Sequence, residues 1–139
     1  MPVYNYNVEG RLKKYEVKDP ADVVFTEKMP TKDAPRPEWA KLMLFAQKEK
    51  MLNRKRLYPQ PVFIKIESLA AMQCQSEEQF QHFVGEAISH NATIYSLKEE
   101  AVFNKEYPKG ISNDPEKLAK AKSIWQMKPE RKSHKIIEI

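Results

Sequence analysis

The stretch from Val62 to Leu97 constrains the fold of this 139-residue chain more than any other part. It begins with Val62 to Ile66, a nearly all-apolar run of the kind found in strands that are covered on both faces of a parallel sheet. A helical segment follows, and Ile94 to Leu97 then supplies a second strand. Strand, helix and strand in this order form a crossover that should be right-handed. The pattern predicts an α/β domain with a mostly parallel sheet.

The helix between these two strands is the best-marked element of the sequence. Ser76 to Gln79 has the capping-box pattern, in which the serine hydroxyl accepts a backbone N–H and the third residue on reaches back. His90 and Asn91 end the helix. One continuous apolar stripe, which we expect to be core, holds Phe80, Phe83, Val84, Ala87 and Ile88.

Earlier in the chain, strands are predicted at Tyr4 to Val8 and Val23 to Thr26, and a helix from Pro37 to about Leu52. Pro37 suits the first turn of that helix, and Glu38 is placed favourably against the helix dipole. Residues at helical spacing that should face the core are Trp39, Leu42, Met43 and Ala46.

The last part of the chain has weaker signals. Phe103 to Asn113 carries turn-forming residues and is predicted to be a loop, and Asp114 begins a short amphipathic helix. The end, from His134 to Ile139, fits either a terminal strand or a disordered tail. We therefore expect one domain, residues 1–139, with a three-layer arrangement of helices around a four- to five-stranded sheet, in which residues from about 115 to 139 form a basic helix and tail.

Composition excludes several classes of protein. The 41% hydrophobic content is enough for a core, and no apolar run approaches the roughly 20 residues that a membrane helix needs. The N-terminus lacks a secretory pattern, so we expect a cytoplasmic protein without membrane contact. Cys74 is the only cysteine, and the three histidines lack the spacing of metal ligands. We expect no disulfide, no metal site and no cofactor.

Four segments, taken in order, resemble the catalytic core of the resolvase/invertase (serine recombinase) family. Val23 to Lys28 looks like the family's second strand with its acidic-basic pair, and Lys32 to Leu42 is similar to its Asp-Arg-Pro-x-aromatic-x-x-Leu segment. Val62 to Ile66 and Ala92 to Glu99 look like two further strands of that core. The resemblance covers about Val23 to Leu97 and implies a resolvase-like fold in a protein of a phage or mobile element.

The resemblance also places the positions at which the family carries its chemistry. There, an acidic residue and two arginines follow a buried strand, and the guanidiniums stabilise a phosphodiester that a serine attacks. Here Glu67 retains the acid, while Ser68 and Ala71 stand in place of the arginines. Glu9 stands where the serine is expected, and Ser68 is the first serine in the chain. The resemblance thus predicts a degenerate member of the family with no catalytic residues. Such a protein would act by binding other proteins or, without sequence preference, DNA.

Arg36 matches the arginine of the Arg-Pro segment and is the only recognisable active-site arginine. It fits either an anchor between loop and helix, paired with Asp33 or Glu67, or a residual phosphate contact. An alternative function also stays open: a metal-dependent, or otherwise active, DNA-processing nuclease or recombinase, in which Glu27 and Glu67 hold a hard metal ion.

The net charge of +5 is concentrated in two stretches, residues 41–65 and 117–139. Such clusters either neutralise the phosphates of DNA, without sequence preference, or form an ordinary solvated surface. The candidate nucleic-acid-binding residues are Lys55, Arg56, Lys128, Arg131 and Lys132.

Self-association is expected as well. The segment from Leu118 to Trp125 presents a small apolar face, with Trp125 as a candidate interface anchor of a homodimer. The alternative is that this face packs back on its own domain.

Overall fold

The structure is a computed structural model that describes residues 3–8, 23–31 and 33–125. Its strands are β1 (Val3–Val8), β2 (Val23–Glu27), β3 (Val62–Ile66), β4 (Ala92–Ser96), β5 (Ala101–Phe103) and β6 (Ile111–Ser112). Its helices are α1 (Pro37–Asn53), α2 (Glu77–Ser89) and α3, residues 115–125, and a short 3-10 turn spans Ala70–Met72.

The six described strands form one sheet in the order β2-β1-β3-β4-β5-β6. The pairs β1-β2, β1-β3 and β3-β4 are parallel, whereas β4-β5 and β5-β6 are antiparallel. Three helices flank this mostly parallel sheet, so the predicted α/β class is confirmed. The order β2-β1-β3-β4-β5 is that of a doubly wound sheet, whose connections reverse direction between β1 and β3.

The predicted loop from Phe103 to Asn113 is corrected in part, because it contains β6 and the last residue of β5. These two strands have three and two residues, which is too short for an alternating pattern to be visible in sequence. Strand pairing defines them: β5 pairs with β4, where Ile94 lies opposite Phe103, and β6 pairs with β5, where Val102 lies opposite Ile111. Among the described residues the sheet therefore has six strands, where four or five were predicted.

The predicted core faces of α1 and α2 meet above the sheet. Trp39 contacts the ring of Tyr6 on β1 at 5.1 Å between centroids and the ring of Phe83 on α2 at 5.0 Å. Of the residues predicted from helical spacing, all but Ile88 are buried, and Ile88 packs against the core from its edge. The central strand β3 buries Val62, Ile64 and Ile66.

The predicted starts of α2 and α3 are each capped by a side chain. The Ser76 hydroxyl accepts the backbone N–H of Gln79 at 3.1 Å, while the Gln79 side chain accepts the N–H of Gln75 at 2.6 Å. The capping box thus reaches back one residue further than in its usual form. The Asp114 carboxylate accepts the N–H of Lys117 at 3.2 Å and starts α3.

Of the two alternatives for Trp125, the structure shows packing on its own domain. Its ring stacks on Phe80 at 5.4 Å between centroids, and the side chain is 4% exposed. A residue that is already buried within one chain is not available as an interface anchor. The predicted tail, residues 126–139, lies outside the described residues. In the part of the chain that is described, the helices are too short or too polar to cross a membrane.

Candidate functional site at the carboxyl edge of the sheet

The parallel strands β1, β2, β3 and β4 end at the same edge of the sheet. In doubly wound sheets, ligands bind outside these carboxyl ends, at the point where the strand connections reverse direction. That point lies between β1 and β3. The residues singled out from the sequence lie at this edge: Glu27 ends β2, Arg36 directly precedes α1, and Glu67 to Ala71 follow β3.

The Glu27 carboxylate is fully buried and is used within the fold. Its Oε1 accepts the backbone N–H of Glu38 at 3.2 Å, and its Oε2 accepts the N–H of Trp39 at 3.0 Å and the hydroxyl of Tyr6 at 2.9 Å. The residue at the N-cap position of α1, Arg36, provides no side-chain cap. Glu27 therefore takes over the capping of α1 and supplies a negative charge at the positive end of its dipole.

The Arg36 guanidinium connects this cap to the turn after β3. It donates to the Tyr6 hydroxyl at 3.4 Å and to the Gln73 carbonyl at 3.0 Å, and it lies 4.8 Å from the centre of the Phe83 ring. Arg36 is thus an anchor between loop and helix, as in the first of its two interpretations. Its partners differ from the predicted ones, since neither Asp33 nor Glu67 pairs with it among the described residues.

Two weak acids beside Arg36 are kept neutral by burial. Burial raises the pKa of the Tyr6 hydroxyl well above its usual value, with Arg36 lowering it and Glu27 raising it further. Burial also raises the pKa of the Cys74 thiol to about 12, which Arg36 offsets in part. Neither group is poised to act as a nucleophile at neutral pH.

The turn after β3 is closed. Ser68 is 1% exposed, and its hydroxyl accepts the backbone N–H of Ala71 at 3.0 Å. Ala71 is buried as well. The Leu69 N–H donates to Glu99 Oε1 at 3.1 Å, and the Ser96 hydroxyl donates to the same oxygen. The two positions at which the family would carry arginines therefore face the interior of the protein.

Glu67 is the exception in this turn. Its Oε2 is buried and accepts no hydrogen bond from a described residue. Glu27, which would have to join it in a metal site, has both oxygens engaged by Tyr6 and the start of α1. Within the described ranges, no three His, Cys, Asp or Glu side chains are grouped so that they could hold a metal ion.

Sequence reasoning missed two residues of this edge, Tyr6 and Glu99. Tyr6 belongs to the alternating face of β1 that points toward α1, so strand periodicity could have identified its direction but not its partner. Glu99 lies in the turn just after β4, behind Leu97 and Lys98, and an acidic residue near the carboxyl end of a parallel strand is a usable signal.

The predicted basic residues are only partly described. Lys55 is exposed, whereas Arg56 is paired with Glu49 at 2.8 Å and with the Asn53 side chain at 2.9 Å. Arg56 is therefore less available to a phosphate than its neighbour. Lys128, Arg131 and Lys132, like Glu9 at the other end, lie outside the described residues.

A second surface of interest lies on α1 and the connector that follows it. We call it the outer face of α1, and each of its six large apolar side chains is at least 41% exposed: Leu44, Phe45, Met51, Leu52, Leu57 and Tyr58. Phe45 lies at the border of this surface, because its ring also packs on Tyr4 of β1 and Phe25 of β2. Single exposed apolar residues are normal, but six within 15 positions are a mark of an interaction surface.

Comparisons with protein-family models, with curated proteins and with solved structures each find no match to this chain. Its class is defined by its own topology: a doubly wound α/β domain with an antiparallel extension at one end of the sheet. Because this architecture serves many unrelated functions, function has to be argued from the residues.

Proposed function

We propose that this chain is a non-catalytic relative of the serine recombinases, of phage or mobile-element origin, which acts by binding other macromolecules. The observation that carries the proposal is the closed turn after β3. Ser68 and Ala71 are buried there, and the one arginine that remains, Arg36, is bound to Tyr6, Gln73 and Phe83.

The energetics of phosphoryl transfer support the absence of recombinase chemistry. Removing one preorganised donor to a developing charge costs about 3 kcal/mol, or a hundredfold or more in rate. Two such donors are missing at positions 68 and 71, and so is a serine near the N-terminus. A metal-dependent route is not proposed, because the Glu27 carboxylate is occupied as the cap of α1.

The outer face of α1 supports the protein-binding part of the proposal. Its apolar side chains are accompanied by Lys48, Arg54 and Lys55, which are exposed and form no ion pair with a described residue. An amphipathic helix with acidic flanks would complement both features, since its apolar side would cover Leu44 and Met51 and its carboxylates would meet the cations.

A second copy of the chain fits this face less well. Lys48 lies midway between Leu44 and Leu52 on the same side of the helix. In a two-fold symmetric pairing centred on this stripe, the Lys48 ammonium groups of the two copies would meet at the axis. Like charges in such a position disfavour association, so the predicted homodimer would need another surface.

The DNA-binding part of the proposal rests on the same exposed cations. Lys48, Arg54 and Lys55 lie on the last two turns of α1 and directly after it, which allows them to contact successive phosphates without reading bases. Protein binding is the favoured part, because contact with a phosphate backbone would not remove the apolar side chains of Leu44, Phe45 and Met51 from water.

Two measurements test the proposal. Incubation with supercoiled DNA, followed by SDS, should give no covalent adduct and no change in topology, with or without Mg²⁺. Ser68→Ala should behave in the same way. An adduct or a nick in the DNA would overturn the non-catalytic assignment.

The partner surface is tested with two labelled synthetic helices that share a leucine stripe and differ in having glutamate or lysine flanks. We expect the acidic helix alone to bind, and the double variant Leu44→Ser, Met51→Ser to weaken this binding. Leu97→Ser, at another exposed leucine, is the matched control. Equal binding of the two helices, or of neither, would contradict an acidic partner.

A further inference from the structure

A cleft of about 410 Å³ lies between the turn that joins β4 to β5 and the face of α3. Its lining includes Lys98, Glu99, Lys117, Lys120, Ala121 and Ile124. This volume is in the range of pockets that hold small organic ligands. The cleft is separate from the outer face of α1 and from the Glu27 cap, and it plays no part in the proposed function.

We propose that this cleft binds a ribonucleoside phosphate. Lys98, Lys117 and Lys120 would hold the phosphate, Glu99 would accept a hydrogen bond from a ribose hydroxyl, and the apolar wall of Ala121 and Ile124 would cover the base.

The three lysines supply the phosphate end. Lys117 and Lys120 are one turn apart on the same side of α3, and Lys98 lies across the cleft on the turn after β4. All three are exposed, and none of their ammonium groups forms an ion pair with a described residue. Three ammonium groups without ion-pair partners around one cavity attract a phosphate dianion strongly.

Glu99 argues against a bare phosphate and for a nucleoside. The side chain is 4% exposed, and its Oε1 already accepts the Leu69 N–H and the Ser96 hydroxyl. Its Oε2 accepts no hydrogen bond from a described residue. A carboxylate in the wall would repel a second anion, but it can accept from a hydroxyl, as acidic residues do at the ribose in other doubly wound domains.

The apolar part of the cleft would bind the base of the nucleotide. Ala121 and Ile124 follow Lys117 and Lys120 by four residues each, so they lie next to the lysines on the same face of α3. Ala70, on the short turn after β3, faces them from the other side of the cavity. A planar ring between these side chains would be removed from water on both faces.

Titration calorimetry on the full chain at low salt tests the proposal, with the 5′-monophosphates of the four common ribonucleosides and inorganic phosphate as probes. We expect at least one nucleotide to bind more tightly than phosphate, and its 2′,3′-dideoxy form to bind more weakly. Lys117→Glu and Lys120→Glu should each raise the Kd by about tenfold, as expected for the loss of one charge-assisted contact. Circular dichroism of both variants should show an unchanged fold.

Lys48→Glu, on the outer face of α1, is the matched control, because it changes the net charge equally and lies outside the cleft. No binding of any nucleotide at millimolar concentration would overturn the proposal. So would binding of inorganic phosphate as tight as that of the nucleotides, or an equal loss on Lys48→Glu. These outcomes are independent of whether the chain forms an adduct with DNA, so failure of this inference and failure of the proposed function are distinguishable.

Discussion

Glu27 at the end of β2 accepts the backbone N–H of Trp39 in the first turn of α1, with 3.0 Å between Oε2 and N. Through this bond a strand holds the start of the helix that follows it, and Tyr6 and Arg36 join the same group from β1 and from the loop. This edge of the sheet is thus used to hold the fold together.

Glu27→Gln should destabilise the protein by about 2–3 kcal/mol. The substitution replaces a charged acceptor of three hydrogen bonds by an amide, whose NH₂ group faces donors that are already buried. Urea unfolding followed by circular dichroism measures the change. Glu106→Gln, at an exposed position, should shift the free energy of unfolding by less than about 0.5 kcal/mol. Equal midpoints for Glu27→Gln and the unmodified chain would show that the cap is not needed.

Stability should fall as the pH rises above about 9. The unfolded chain ionises Cys74 near its ordinary pKa of 9.0 and Tyr6 near 10.0, while burial keeps both protonated in the folded state. Because the unfolded state then binds fewer protons, each group lowers the free energy of unfolding by up to about 1.4 kcal/mol per pH unit. Urea unfolding at a series of pH values should show this decline.

Tyr6→Phe should remove the part of that decline that sets in near pH 10, whereas Tyr58→Phe, at an exposed tyrosine, should leave it unchanged. If the decline were the same in both variants, Tyr6 would not be its source.

Cys74 should react very slowly with a disulfide reagent such as Ellman's reagent at pH 8. The side chain is buried, and a pKa of about 12 leaves about one thiolate in ten thousand. Addition of urea should release one thiol per chain at once. Rapid reaction of the folded protein would mean that the loop around Cys74 opens readily.

Trp125→Ala should destabilise the domain by about 3–5 kcal/mol, because it removes a buried ring that stacks on Phe80. The homodimer remains a prediction, and light scattering should give twice the 16.3 kDa of one chain at tens of micromolar. A single-chain mass would reject it. Dissociation of a dimer by Trp125→Ala, without loss of stability, would contradict the core position of this ring.

DNA binding, if it occurs through the exposed cations, should be independent of sequence and should weaken steeply with salt. Lys55→Glu should reduce retention of duplex DNA on every sequence, while Arg56→Glu should have the smaller direct effect on DNA, since Arg56 is already paired with Glu49. Filter retention at about 50 mM and about 200 mM salt measures both. No retention at the lower concentration would leave protein binding alone.

The sequence by itself determined the elements with a clear period. The apolar run of β3, the capped and striped α2, and the proline at the start of α1 were each visible because the local pattern and the final environment agree. The residue types at positions 68 and 71, serine and alanine, are likewise read directly from the chain.

Only the tertiary structure decided which partners these residues have. Glu27 caps a helix that lies beyond a proline-rich loop, Arg36 binds a strand 30 residues away, and Trp125 stacks on a ring of α2. The short strands β5 and β6 likewise exist through pairing, β5 with β4 and β6 with β5. A hydrogen bond or a ring contact depends on distances of a few ångströms between segments far apart in the chain, and no local period encodes such a distance.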